Sequence, residues 1–359
     1  MRSGLIVCLL LPQLVFAQID SLDIKIGQMI IMGLDNFNEL NTSEPMLEVI
    51  EEGKLGNLIL YTKHINPSDP VRSLQEITKY LQEISPIPLF IGIDEEGGRV
   101  NRLKERYGFP ATASAQYLGS LESRDSTIRY ANSTGEVLSR LGINMTFAPN
   151  VDVNVNPSNP VIGSKERSYS SDPDVVAQQA HWVMQAQRRH GVVNVIKHFP
   201  GHGSSTADTH LGMADVSDSW VIEELYPFGN LINYSQVDAV MTAHIVNEKL
   251  DESRLPATLS RRIVTDLLRG FMGYDGIVIS DDMQMHAISQ HYGFEEAIVL
   301  SINAGVDMLM FANNTALADR VEPEDIHAMI KRNVLNGNIP EARIEESFDR
   351  IMKVKRSFL

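Results

Sequence analysis

Short apolar segments alternate with helical segments along nearly the whole chain, and this alternation restricts the fold more than any other feature. Parallel strands joined by helices bury both faces of a sheet, and closing that sheet into a barrel removes its edges. We therefore predict an α/β fold, a single-domain (β/α)8 TIM-type barrel. An open doubly wound sheet is the alternative, but no Gly-x-Gly-x-x-Gly turn follows the first strand. Buried strands are predicted at residues 26–33, 57–61, 89–94, 144–152, 192–196, 239–246, 276–280 and 307–312.

The N-terminal segment has the layout of a secretory signal peptide. Arg2 precedes an apolar run at residues 5–11, and Val15-Phe16-Ala17 stands before Gln18. The run is too short to span a membrane. We predict a signal peptide at 1–17, a barrel domain at 18–359 and a periplasmic or secreted protein without stable membrane insertion. Cys8, the only cysteine, lies in this segment, and a lipid anchor on it is the alternative.

Composition excludes some classes of function. The chain has 46 acidic and 31 basic residues, a formal net charge of −15. Nucleic-acid binding needs clustered Lys and Arg and is therefore not expected. Without Cys8 the mature chain also has no disulfide or thiolate chemistry. We expect a monomer.

The segment Lys197 to His210 reads Lys-His-Phe-Pro-Gly-His-Gly-Ser-Ser-Thr-Ala-Asp-Thr-His. We interpret it as a loop after the fifth strand, since Pro200 and its flanking glycines break regular structure. His198 and His202 then cannot lie one helical turn apart as a metal-binding pair. In a loop, Asp208 can accept the N–H of the His210 imidazole, which fixes its tautomer and raises its basicity. That pair could shuttle a proton, although an Asp-x-His alone is also typical of a solvated loop.

Polar residues consistently follow the predicted strands. In a β/α barrel these positions converge on the C-terminal face, where active sites are found. The sequence therefore predicts that Asp94, Lys197, His198, His210 and Asp281 lie together.

Several motifs resemble, in order, those of bacterial β-N-acetylhexosaminidases of glycoside hydrolase family 3. Besides the 197–210 loop they are Asp94-x-Glu96-Gly97-Gly98-Arg99-Val100-x-Arg102, Ala148-Pro149-x-x-Asp152-Val153, Glu166-Arg167-Ser168-Tyr169, Pro256-Ala257-Thr258-Leu259-Ser260 and Ser280-Asp281-Asp282-Met283. The loop interior departs from the family, because Ser204-Ser205 stands where an Asp-Thr pair is frequent. This departure bears on loop mobility and aglycone contacts.

The resemblance implies a retaining β-N-acetylglucosaminidase that acts on amino-sugar oligosaccharides or muropeptides with no cofactor and no metal. It implies that Asp281 is the nucleophile, which forms a glycosyl-aspartate intermediate, and that His210 is the general acid/base, oriented by Asp208. Asp282 is expected to be a structural carboxylate behind the site. The residues that match the family's sugar-gripping positions are Asp94, Arg102, Arg167, Lys197 and His198.

Alternatives remain within the family and outside it. A β-glucosidase or β-xylosidase of the family, or an N-acetylglucosaminide phosphorylase, would share much of the site. A metal-dependent hydrolase could use His198, His202 and Asp208, but the His-x-His usual after the first strand is missing. A catalytically silent sugar-binding protein is the non-enzyme alternative. His202 and His244 could line the pocket, although structural roles are expected for both.

Overall fold

The computed structural model describes residues 22–34, 39–42, 44–209, 211–314 and 319–359. The predicted signal peptide at 1–17 and His210 lie outside the described residues.

Eight parallel strands in the described part of the chain close into a barrel, which confirms the predicted fold class. Their hydrogen-bonded order is β1-β10-β9-β7-β5-β4-β3-β2, and pairing of β1 with β2 closes the ring. Two further short strands, β6 and β8, pair with each other. The strands are β1 (Ile30–Gly33), β2 (Asn57–Leu60), β3 (Phe90–Ile93), β4 (Met145–Thr146), β5 (Val193–Phe199), β6 (Ala214–Asp215), β7 (Ala239–Thr242), β8 (Ile245–Val246), β9 (Ile277–Asp282) and β10 (Met308–Phe311).

Helices surround the barrel and turn their apolar faces toward it. Some of these helices begin with a side-chain cap: Asp172, for example, accepts a hydrogen bond from Asp174 N and is followed by Pro173. None of the described helices is long and apolar enough to cross a membrane. The α-helices are Leu22–Gln28, Met46–Glu51, Pro70–Ile84, Ala115–Leu121, Arg124–Arg140, Pro173–Arg188, Tyr226–Tyr234, His286–Ser289, Phe294–Ala304, Pro323–Leu335 and Glu341–Phe358.

Two predicted strands differ from the structure near the start and middle of the chain. The run at 26–33 combines the end of helix Leu22–Gln28 with strand Ile30–Gly33, because a short buried helix and a buried strand are equally apolar. The strand predicted at 144–152 is regular only at Met145–Thr146. Pro149 has no N–H to give to a ladder, and pairing with β5 resumes only as a bridge between Asn150 and Lys197.

The strands that carry the predicted site residues are also longer than expected. Strand β5 runs to Phe199, so Lys197 and His198 lie in the strand and not in the following loop. Strand β9, predicted at 276–280, includes both Asp281 and Asp282.

The strand predicted at 239–246 is divided into two. Its first part is β7 in the barrel, and its second part is β8, which pairs with β6 outside the barrel.

Two helical segments have unusual forms. Helix Tyr226–Tyr234 is preceded by the 3-10 turn Ile222–Leu225. Residues Arg262–Phe271 form a π-helix.

Candidate active site

A cavity of about 560 Å³ opens at the C-terminal end of the barrel. Strand ends and the loops after them supply its walls, as the fold requires. Asp208 is half-buried and precedes Thr209, which lines the cavity, whereas His210 lies outside the described residues. The predicted site residues that the structure brings together in the cavity are Asp94, Arg102, Arg167, Lys197, His198 and Asp281.

Lys197 is the centre of a buried ion cluster. Its Nζ lies 2.9 Å from Asp94 Oδ1 and 2.7 Å from Glu96 Oε1, and its side chain is 3% exposed. Arg102 Nη2 contacts the second oxygen of Asp94 at 3.1 Å. Burial favours the neutral form of Asp94, but Lys197 and Arg102 outweigh it and hold the pKa of Asp94 below its ordinary value. The same carboxylates raise the pKa of Lys197 against the effect of its burial.

Glu96 joins this cluster to Arg167 by a two-pronged ion pair. Arg167 Nε donates to Oε2 at 2.9 Å and Nη2 donates to Oε1 at 2.7 Å. Arg167 and Lys197 together outweigh burial and lower the pKa of Glu96 to about 2. The sequence reasoning did not assign Glu96 a role. Its spacing of two residues from Asp94 was an available signal, since alternate residues of an extended chain share a face.

Asp152 fixes the ring of His198 from behind. Its Oδ2 lies 2.7 Å from His198 Nδ1, and its Oδ1 accepts the backbone N–H groups of His198 at 3.2 Å and His202 at 2.8 Å. Burial raises the pKa of Asp152, but its contacts with His198 outweigh this effect and hold the pKa below its ordinary value. An ionised carboxylate only accepts hydrogen bonds, so His198 Nδ1 donates to it. Nε2 then lies 3.4 Å from Arg167 Nη2. Asp152 was likewise not assigned from sequence.

The two acids of β9 lie side by side at the cavity but make different contacts. Asp281 Oδ1 accepts the backbone N–H of Asp282 at 2.8 Å. Asp282 Oδ1 accepts two backbone N–H groups, from Gln284 and Ala312, both at 3.1 Å. The Asp282 carboxylate therefore joins the ends of β9 and β10. Both residues line the cavity.

The loop after β5 is held by a buried acid. Glu224 Oε2 accepts the N–H groups of Gly203 at 2.8 Å and Ser204 at 3.2 Å. Burial raises the pKa of Glu224 to about 7. Gly203 permits close packing here, since a Cβ on it would lie 1.7 Å from the carbonyl oxygen of Val153.

His202 and His244, the two histidines expected to have structural roles, differ in position. His202 lines the cavity, and its Nε2 lies 3.4 Å from Thr209 Oγ1. Burial and neighbouring His198 lower its pKa to about 4, so the ring is neutral at physiological pH. His244 is buried between Thr258 Oγ1, at 2.9 Å from Nδ1, and the carbonyl of Asp282, at 2.9 Å from Nε2. Among the described residues, no group of three His, Cys, Asp or Glu side chains could hold a metal ion.

Comparison with known proteins gives consistent matches. Residues 21–354 match the family described as the glycosyl hydrolase family 3 N terminal domain. β-Hexosaminidase A of Pseudoalteromonas piscicida is 34% identical over 336 residues, which cover 88% of this chain and 56% of that protein.

Solved structures of related enzymes are similar to this chain over most of its length. A glycoside hydrolase family 3 β-N-acetylglucosaminidase from Paenibacillus sp. str. FPU-7 has a TM-score of 0.84 and 34% identity, with coverage of 94% of this chain and 62% of that one. The β-N-acetylhexosaminidase of Beutenbergia cavernae has a TM-score of 0.80 and 28% identity, with coverage of 94% and 98%. The chain thus spans less than two thirds of the first two relatives and nearly all of the third.

Proposed function

The chain belongs to glycosyl hydrolase family 3, and from this membership we propose that it is a retaining exo-β-N-acetylglucosaminidase. It would hydrolyse terminal β-linked N-acetylglucosamine from amino-sugar oligosaccharides or muropeptides. The observation that best supports this proposal is that Asp281 lines the same cavity as the cluster of Asp94, Arg102 and Lys197.

In this proposal the charged cluster binds the terminal sugar. Carboxylates accept hydrogen bonds from sugar hydroxyls, and Lys and Arg donate to them. Each group in the cluster is already held by an ion pair, so the binding geometry exists before the sugar arrives. His198 lines the same cavity, with its ring fixed by Asp152.

Asp281 would attack the anomeric carbon and form a glycosyl-aspartate. Its contact with the N–H of Asp282 restrains the carboxylate in one orientation. Asp282 would not replace it, because the two backbone hydrogen bonds on its Oδ1 turn that carboxylate toward β10.

His210 and Asp208 would supply the acid/base function, as the family resemblance implies. A histidine has an ordinary pKa near neutrality. It can therefore protonate the leaving oxygen in the first step and deprotonate the attacking water in the second. Thr209, between the two residues, lines the cavity and supports a location of this segment at the site.

The test compares an aryl β-N-acetylglucosaminide with the matching aryl β-glucoside, each with and without phosphate, and identifies the products. We expect faster cleavage of the N-acetylglucosaminide and free N-acetylglucosamine as the product. Faster cleavage of the glucoside would make the protein a β-glucosidase. Sugar 1-phosphate as the main product would make it a phosphorylase.

Export is a separate part of the proposal. The layout of residues 1–17 favours removal of a signal peptide and a mature protein that starts at or near Gln18 in the periplasm or medium. N-terminal sequencing of the protein from fractionated cells tests this. An intact Met1 in the cytosolic fraction would contradict it.

A further inference from the structure

Tyr61 lines the cavity but has no part in the proposed mechanism. It directly follows β2, and the closed strand order places it on the arc of the rim that runs from Asp94 through β2, β1 and β10 to Asp281. Lys197 and His198 lie on β5, on the other arc. A sugar held between Asp94 and Asp281 therefore has Tyr61 at one edge and the β5 residues at the other.

Tyr61 is held firmly in place. Its backbone N–H donates to His64 Nδ1 at 2.8 Å, and the buried His64 contacts the carbonyl of Leu34 through Nε2 at 3.0 Å. The guanidinium carbon of Arg102 lies 5.4 Å from the centre of the Tyr61 ring. Arg102 is in turn bound to Asp94, so the ring belongs to the same preformed wall as the charged cluster.

Among the described residues, the phenol oxygen of Tyr61 has no hydrogen-bond partner, because the backbone N–H of His64 donates to the backbone carbonyl of Tyr61, at 3.0 Å, and not to the phenol. Burial raises the pKa of Tyr61 well above its usual value, and the carboxylates of Asp94, Asp282 and Asp281 raise it further. The phenol therefore keeps its proton across the working pH range and can donate a hydrogen bond. A polar donor in a cavity wall without a protein partner is available to a ligand.

We propose that Tyr61 is a specificity-determining residue whose phenol donates a hydrogen bond to the terminal sugar, at the edge away from Lys197 and His198. This inference rests on the proposed function. The two edges of an N-acetylglucosamine ring carry different substituents, the 2-acetamido group and the 6-hydroxymethyl group. Both groups have an oxygen that can accept a hydrogen bond from the phenol. Substrate analogues that lack one group or the other show which of them the phenol contacts.

The experiment uses Tyr61→Phe, which removes the hydroxyl and keeps the ring against Arg102. The matched control is Tyr107→Phe. Tyr107 also lies beneath an arginine, with Arg106 Cζ 4.8 Å from its ring centre, but is not among the residues that line the cavity. For each protein, kcat/KM is measured on the aryl β-N-acetylglucosaminide, its 6-deoxy analogue and the aryl 2-deoxy-β-glucoside. Thermal unfolding checks that each variant is folded.

We expect Tyr61→Phe to lower kcat/KM on the full substrate by roughly 5- to 100-fold, while the control stays within about twofold. On the one analogue that lacks the acceptor, Tyr61→Phe and wild type should have equal kcat/KM, which identifies the substituent. No loss on the full substrate would overturn the proposal. An equal loss on all three substrates would also overturn it, because the phenol would then contact neither the 2-acetamido nor the 6-hydroxymethyl group.

The outcome is separable from that of the proposed function. If wild type prefers the glucoside, the hexosaminidase proposal fails, and the same comparison is made with the aryl glucoside and its 6-deoxy and 2-deoxy analogues. A wild type that cleaves the N-acetylglucosaminide, together with an unchanged Tyr61→Phe, contradicts the Tyr61 inference alone.

Discussion

Lys197 and Glu96 form a buried contact of 2.7 Å that links Asp94, on the cavity wall, to Arg167. Glu96 also holds Arg167 with both oxygens, while Lys197 holds Asp94 at the cavity. Three cations, Lys197, Arg167 and Arg102, thus compensate these two carboxylates where water is largely excluded. Removal of Lys197 takes one charged hydrogen-bond donor from each of the two buried carboxylates, which costs more than an exposed ion pair contributes.

Lys197→Met should destabilise the fold by about 3–5 kcal/mol at pH 7, since Asp94 and Glu96 would share one cation fewer. The pKa of Glu96 is lowered from 4.5 to about 2, so its pairing stabilises the fold fully above about pH 4.5 and less as the pH falls toward 2. Urea unfolding at pH 7 and pH 3 should therefore show a smaller deficit at pH 3. The control is Lys79→Met, at an exposed pair with Glu83. A deficit of equal size at both pH values would contradict this prediction.

Asp281→Asn should lower kcat by roughly 10³-fold or more, because an amide cannot act as the nucleophile that we propose for Asp281. Asp282→Asn is the matched control: its amide oxygen can still accept the N–H groups of Gln284 and Ala312, so activity should fall less than about tenfold. A fluorinated N-acetylglucosaminide that traps the intermediate should label Asp281, as read by peptide mass mapping. A label on Asp282 would reverse the two roles.

The barrel and the convergence of its charged residues could be predicted from sequence. Apolar runs located the strands, and parallel strands deliver their C-terminal ends to one face, so Asp94, Lys197 and Asp281 had to lie close together. Individual strand ends could not be predicted equally well. Lys197 reads as the start of a loop because a lysine is rarely buried, and only its partners Asp94 and Glu96 explain why the strand continues through it.

The supporting partners were harder to predict than the residues they support. Asp152 and Glu224 act through backbone N–H groups of the loop after β5, and no spacing rule connects positions so far apart in sequence. Tyr61 reads as the apolar end of a strand, and its place at the cavity follows only from the rim of the closed barrel. Sequence patterns locate elements, whereas these contacts depend on how the elements pack.

Glu224→Gln should make stability less dependent on pH. The pKa of Glu224 is raised from 4.5 to about 7, so the folded state binds a proton that the unfolded state releases between these values. This proton therefore contributes to the free energy of unfolding of the wild type fully below about pH 4.5, and the contribution is lost as the pH rises through 7. The glutamine oxygen can still accept from Gly203 without a buried charge. Relative to wild type, the variant should be more stable at pH 8 than at pH 5 by about 1–3 kcal/mol.

Urea unfolding at the two pH values measures this difference, and Glu223→Gln, at the exposed neighbouring position, is the control. Other groups with shifted pKa values are common to all three proteins and cancel in the comparison. An identical effect of Glu224→Gln at pH 5 and pH 8 would show that Glu224 is ionised in the folded protein throughout this range.

His210→Ala should lose activity mainly on substrates with poor leaving groups. An activated nitrophenyl leaving group departs without a proton, whereas a sugar alcohol needs one, and general acid catalysis contributes roughly 10²–10⁴-fold. We therefore expect a loss of that size in kcat/KM on chitobiose and a much smaller loss in the glycosylation step with a nitrophenyl N-acetylglucosaminide. Asp208→Asn should show the same pattern more weakly, since it removes only the carboxylate that would orient His210.

The control for His210→Ala is His291→Ala, at an exposed histidine that is not among the cavity-lining residues, and it should leave kcat/KM on both substrates unchanged. Equal losses on chitobiose and the nitrophenyl substrate would assign His210 to sugar binding or folding and leave the acid role to another group.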